Sequence, residues 1–221
     1  MELYIPLRKK HYIYECMRKR FRGLSYGTPF VLSDEMVEAV LSGHKTLTIR
    51  VLSKKERDSG VTEIEGIPHQ FSEATKSWEK ISGPYGGMDY LWVRENYCLV
   101  GTSPVYRLDV PEEDRLNYSW LSSLNMPEHV SRYCLKITEH RYLSHVQDLS
   151  PMDIYREGFS SPLRGKEGKK DLIAQFSKSW DARHKDKSEK WEANPPVWLT
   201  EFRLLSPEEE KEMKKAKDYL K

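Results

Sequence analysis

Gly43-His44-Lys45-Thr46-Leu47-Thr48-Ile49-Arg50 is the stretch on which the reading of this chain turns. Its second half alternates. Leu47, Ile49 and Val51 fall on one side of an extended chain and Thr46, Thr48 and Arg50 on the other, which predicts a half-buried strand over residues 46–52. Just upstream, Ser33 is an N-cap candidate, and Met36, Val37, Val40 and Leu41 recur at helical spacing. That pattern predicts a helix over residues 34–42, with Gly43 as its stop. Once Gly43 is assigned to the turn and Leu47 and Ile49 to the core, Lys45, Thr48 and Arg50 are what remain for chemistry.

Residues 53–82 are polar, with scattered charges, and read as a long loop holding at most a hairpin. The turn Gly83-Pro84-Tyr85-Gly86-Gly87 introduces a strand over residues 90–100. A short strand is expected at 106–108 and a longer one at 133–143. Ser150-Pro151-Met152-Asp153 is a capping box with proline in the first turn, opening a helix that ends at Gly158. A second helix is expected over 169–182, with Leu172, Ile173, Phe176 and Trp180 as its apolar stripe. Trp191 to Pro196 reads as an ordered turn in which the Asn194 side chain bonds backbone, and 197–205 as the last strand. Ser206-Pro207-Glu208-Glu209 repeats the capping box and opens a charged terminal helix. Strands interspersed with short helices predict an α+β fold with the sheet curled into a small barrel. The expected division is an extension over 1–28, one domain over 29–205 and the charged helix over 206–221.

Aromatic residues make up 11% of the chain, enough for large rings to supply a core despite a 32% charged content. No apolar run approaches the ~18 residues of a membrane span, and no basic segment precedes the short apolar start, so a cytoplasmic protein is expected. Cys16, Cys98 and Cys134 are widely spaced and odd in number, which suits reduced thiols. His140 and His145 lack a third ligand, so neither a metal nor a cofactor is expected. The net charge is only +2. Arg8, Lys9, Lys10, Arg18, Lys19, Arg20 and Arg22 nevertheless crowd the first residues, and such an arm can bind phosphates by counterion release; the alternative is a solvated terminal segment.

The ordered motifs resemble the ASCH family of the PUA-like superfamily, most closely its larger branch from bacteriophages and prophages. Gly43 to Arg50 is similar to that family's glycine-x-lysine-threonine-x-threonine-x-arginine core. Asp89-Tyr90-Leu91-Trp92-Val93-Arg94-Glu95 resembles its tryptophan-containing strand. Met126-Pro127, Ser131-Arg132, Leu149-Ser150, Glu157-Gly158 and Trp191-Glu192-Ala193-Asn194-Pro195 with Val197-Trp198 follow in the family's order. The similarity spans about residues 29–205.

That resemblance implies a cleft around the core motif that binds RNA or a modified nucleoside. It also implies an alternative, in which Lys45, Thr48 and Glu157 correspond to the residues with which smaller members hydrolyse the acetyl-amide of acetylated cytidine. A threonine hydroxyl, a partly neutral lysine and a carboxyl group can supply nucleophile, base and acid for such a step. A ribonuclease and a phage-encoded interaction protein are further alternatives, with no protein partner named by the residues. As a binding site, Arg50 shares a strand face with Thr48 and can hold a phosphate or stack on a base. Trp92 and Arg94 share a face of their own strand and could grip an unstacked nucleobase, or Trp92 could simply be core. Tyr85 and Arg107 are placed at the rim.

Overall fold

The structure is a computed structural model that describes residues 27–64, 67–81, 83–85, 89–209 and 211. The basic arm residues Arg8, Lys9, Lys10, Arg18, Lys19, Arg20 and Arg22 lie outside the described residues, as does most of the expected terminal helix. The opening of that helix is present: the Ser206 hydroxyl accepts from the Glu209 N–H (3.2 Å) and the Glu209 carboxylate from the Ser206 N–H (3.0 Å).

The fold is α+β, as the residue pattern predicts. Ten strands are described: β1 (Thr28–Val31), β2 (Leu47–Val51), β3 (Val61–Ile64), β4 (Ile67–Ser72), β5 (Ser77–Lys80), β6 (Tyr90–Arg94), β7 (Tyr97–Val100), β8 (Ser103–Tyr106), β9 (Cys134–Leu143) and β10 (Val197–Leu204). Four α-helices accompany them: α1 (Asp34–Leu41), α2 (Lys54–Ser59), α3 (Pro151–Arg156) and α4 (Gly165–Arg183). The main sheet has the order β1-β6-β9-β10-β2, so it keeps two edges and is only partly closed. A three-stranded sheet β3-β4-β5 and the hairpin β7-β8 complete the strands. Among the described residues no helix is long and apolar enough to cross a membrane.

The described residues divide into two compact units, those within 27–41, 89–136 and 203–211 forming one and those within 42–85 and 137–202 the other. In the first, β1 pairs parallel with β6, and β6 pairs antiparallel with β9 through Trp92 opposite Cys134. Helix α1 starts at Ser33, whose carbonyl accepts from the Val37 N–H at 2.9 Å, and it buries Val37 and Val40. Asp34 and Glu35 in its first turn suit the positive helix end.

In the second unit, β10 pairs antiparallel with β2, setting Thr200 opposite Thr48 and Leu199 opposite Ile49. The core of this unit joins Leu47 and Ile49 from β2, Val197 and Leu199 from β10, Ile154 from α3 and Phe176 and Trp180 from α4. The alternation read from the motif is thus real: the odd positions of β2 are core. Helix α3 has the capping box expected at Ser150, with the Asp153 N–H donating to its hydroxyl at 3.1 Å. Asn194 holds a left-handed φ of 50°, and its Oδ1 accepts from the Gln147 N–H at 2.9 Å, the structural role foreseen for it.

Three expectations need correction. Residues 53–82 are not a loop. Ser53 caps α2 with a reciprocal Ser53/Glu56 box, and β3, β4 and β5 follow. That helix buries no side chain, so no apolar period announced it. The strand expected over 90–100 is two strands, because the chain breaks at Glu95 and Asn96, where Glu95 turns inward to an arginine. The strand expected at 106–108 ends at Tyr106, and Arg107–Asp109 is a 3-10 turn.

Candidate functional site

Gly43 has φ of +76°, a conformation in which a side chain is strained, and it turns the chain out of α1 toward β2. Lys45 follows and is 3% exposed. Its Nζ donates to the carbonyls of Leu47 (3.0 Å) and Glu157 (2.6 Å) and lies 3.0 Å from the Glu157 carboxylate. Two backbone carbonyls thus accept from the ammonium, and the carboxylate pairs with it as an ion. Glu157, equally buried, closes the C-terminal end of α3, and the nearby Ile49 N–H favours its charged form. Burial pushes the Lys45 ammonium below its ordinary pKa, partly offset by Glu157. Burial pushes the Glu157 carboxyl up, opposed by Lys45 and by Arg183, whose guanidinium lies 3.8 Å away.

The position of β2 explains why such a costly pair is kept. As an edge strand it presents unpaired backbone groups on one side. Lys45 takes the Leu47 carbonyl, the Arg156 carbonyl takes the Thr46 N–H at 2.9 Å, and the Glu157 carboxylate lies near the Ile49 N–H, which favours its charge. The end of α3 thus covers the edge that a further strand would otherwise occupy. Arg156 adds a contact to the Thr46 hydroxyl (3.0 Å) and a two-pronged pair with Glu201 (2.9 and 2.8 Å).

The opposite face of β2 carries Thr48 and Arg50. Thr48 is buried and Arg50 exposed. The Arg50 guanidinium stands 5.3 Å over the ring of Tyr85, itself buried. Tyr85 in turn stacks on His140 at 6.2 Å, and His140 Nδ1 shares a hydrogen bond of 2.9 Å with the Thr200 hydroxyl. Burial raises the Tyr85 phenol, with the neighbouring Arg50 opposing it. A guanidinium, a phenol ring and two threonines thus line the side of the sheet that the motif predicted to be polar.

Gly83 holds the return of the chain. Its φ is +82°, and a Cβ there would meet the His140 ring at 2.9 Å. His140 is half-buried, and burial lowers its pKa. A depressed imidazole contributes stability that is present above the unfolded value of about 6.5 and lost as pH falls through the folded value. The melting temperature should therefore drop as pH falls from 7.5 to 5.5, and His140→Gln should flatten that profile. An unchanged profile in the variant would mean that His140 does not carry it.

The other residues singled out from the sequence belong to the first unit. Trp92 is 5% exposed, so it is core, and its ring is already covered by Arg94, with the guanidinium carbon 4.6 Å from the ring centre. Arg94 also donates to the Leu124 carbonyl at 2.8 Å. Arg107 is ion-paired with Asp34 at the start of α1. Lys45, Glu157, Thr48, Arg50 and Tyr85 are thus gathered in one unit, whereas Trp92, Arg94 and Arg107 serve the other. His140, Thr200 and Arg183 were not foreseen, because no local pattern ties them to the motif. Among the described residues no group of His, Cys, Asp and Glu could hold a metal ion, and Cys98 and Cys134 are buried cysteines that form no disulfide.

Neither a protein-family model, nor a curated protein, nor a solved structure matches this chain.

Proposed function

We propose that the chain is an ASCH-family protein of the PUA-like superfamily that binds RNA or a modified nucleoside, with the exposed Arg50, held over Tyr85 and beside the buried Thr48, as its gripping group. The observation that carries this reading is the Arg50–Tyr85 pair. An exposed planar cation is held 5.3 Å over an aromatic ring on the polar face of β2. Such a guanidinium can stack on a base or take a phosphate through two parallel hydrogen bonds. Lys45 and Glu157 are the covered edge beneath this surface. A cytoplasmic location and a phage or prophage origin belong to the same proposal, through the motif resemblance.

A second reading, hydrolysis of the acetyl-amide of acetylated cytidine, is favoured by one observation: burial drives Lys45 toward a neutral amine and Glu157 toward a neutral acid. In it the Thr48 hydroxyl attacks the acetyl carbonyl, Lys45 takes the hydroxyl proton, Glu157 protonates the leaving cytosine amine, and water then cleaves the acetyl ester to release acetate and restore Thr48. The near-complete burial of Lys45 and its two bonds to backbone carbonyls weigh for binding instead, since they commit the lysine to the fold.

One experiment separates the two. The protein is incubated with acetylated cytidine and with a short single-stranded RNA, and both are followed by chromatography. The binding reading expects intact substrates, salt-sensitive RNA association, and a loss of affinity of about tenfold in Arg50→Ala. Turnover that vanishes in Thr48→Val and Lys45→Ala would replace it with the hydrolase.

A further inference from the structure

The sheet β3-β4-β5 lies in the chain between Arg50 and Tyr85, the two residues that meet at the proposed site. Its faces follow from the register. His69 pairs with Lys80 and Phe71 with Trp78 across β4 and β5, and Thr62 pairs with His69 across β3 and β4. Cross-strand partners and residues two apart share a face. Thr62, His69, Phe71, Trp78 and Lys80 therefore stand together on one side. The other side carries Gln70, Ser72, Ser77 and Glu79, and it turns toward α2, where the Gln70 amide donates to the Lys55 carbonyl at 3.3 Å. The aromatic side is the one that α2 leaves uncovered.

Trp78 is 46% exposed, although it is the largest side chain of the sheet. Its ring meets Phe71 edge to face, with centroids 5.5 Å apart at 71°. Lys80, exposed and two residues from Trp78, places a cation beside the two rings. Aromatic rings on a sheet face with a flanking cation suit unpaired bases, whose flat faces stack while their phosphates meet the lysine. A second copy of the chain fits less well. Three strands of at most six residues offer a face of about 20 Å by 14 Å, near a third of the ~800 Å² per partner of a stable interface.

We propose that this aromatic, basic face is a stacking platform for unpaired nucleobases of a single-stranded polynucleotide. It extends the proposed nucleoside site, and rests on that reading, because the chain enters this sheet after Arg50 and leaves it before Tyr85. A strand with one nucleotide at Arg50 would continue onto Phe71 and Trp78.

The test uses the full chain and fluorescently labelled ten-nucleotide uridine RNA and thymidine DNA, read by anisotropy. Trp78→Ala should weaken binding about tenfold, and Trp78→Phe should keep most of it. Lys80→Glu, which leaves the aromatic pair intact, should also weaken binding and lessen its salt dependence. Cytidine monophosphate should bind Trp78→Ala as it binds the wild type. Association with either polynucleotide supports the platform, and a preference for RNA assigns a contact to the 2′-hydroxyl. Oligonucleotide binding untouched by both Trp78→Ala and Lys80→Glu would overturn it. So would a dimer in light scattering that Trp78→Ala dissolves, since the face would then join two copies. If Arg50→Ala changes nothing while Trp78→Ala abolishes binding, the nucleoside site falls and the platform stands; the reverse pattern sinks the platform alone.

Discussion

Lys45→Met should lower the unfolding free energy by about 3–5 kcal/mol, because it leaves the buried Glu157 carboxylate with only the more distant and half-exposed Arg183. The side chains of Lys45 and Glu157 are 2% and 4% exposed, so water cannot replace the lost partner. The replacement also strips the Leu47 and Glu157 carbonyls of a donor. Adding Glu157→Leu should recover the part of the loss due to the unpaired carboxylate, but not the part due to the Leu47 and Glu157 carbonyls, which stay without that donor. The sign of the pH dependence is fixed as well. Without Lys45, the Glu157 carboxyl rises further above its unfolded pKa of about 4.3. A raised carboxyl contributes stability below that unfolded value and loses it as pH rises through the folded one. The deficit of Lys45→Met should therefore be larger at pH 8 than at pH 5. Urea unfolding of the two variants at both pH values measures this. A single variant as stable as the wild type would show that the pair does not hold the edge of β2.

A loss of similar size, about 3–5 kcal/mol, is expected for Arg132→Met in the other unit. Arg132 holds Glu95 with two hydrogen bonds of 2.7 Å and reaches Asp109 at 2.5 Å. Its guanidinium carbon stands 4.0 Å from the centre of the Tyr106 ring and 4.9 Å from that of Tyr133. Burial alone would pull the guanidinium pKa down, but Glu95 more than offsets this and holds it above its ordinary value. Burial pushes the Tyr133 phenol up to about 12, so that ring stays neutral beside the cation. Arg132→Lys should restore little, because a point charge cannot grip both carboxylate oxygens and stack on aromatic rings. Full stability in the lysine variant, read by thermal unfolding, would show that charge alone matters at this position.

Of the two clusters, only the first was visible beforehand, and only in part. Lys45 was singled out through its motif, and Glu157 through its place at the end of the helix that Ser150 opens. Arg132 and Glu95 fell within segments quoted for their resemblance, yet nothing local said that they meet. The stretch 53–82 shows the opposite failure. Ser53-Lys54-Lys55-Glu56 is a capping-box pattern that could have announced α2, but the helix has no apolar face to support it. The alternation of His69 with Phe71 and of Trp78 with Lys80 is genuine strand patterning, too short and too polar to stand out.

By itself the sequence determined what depends on neighbours along the chain. The odd positions of β2 are core because side chains alternate in a strand, and Ser150 opens α3 because a capping box closes on itself within one turn. The left-handed turns at Gly43 and Asn194 belong to the same local class. Only the tertiary structure decided which polar residues become buried partners. Lys45 and Glu157 are 112 residues apart, and they meet because β2 is an edge whose free carbonyl and N–H need covering. Trp92 is core and Trp78 exposed although each lies on a strand beside a basic residue two positions on, and what separates them is which face another element covers. Coverage of that kind is set by the packing of distant segments, and no local spacing in the chain records it.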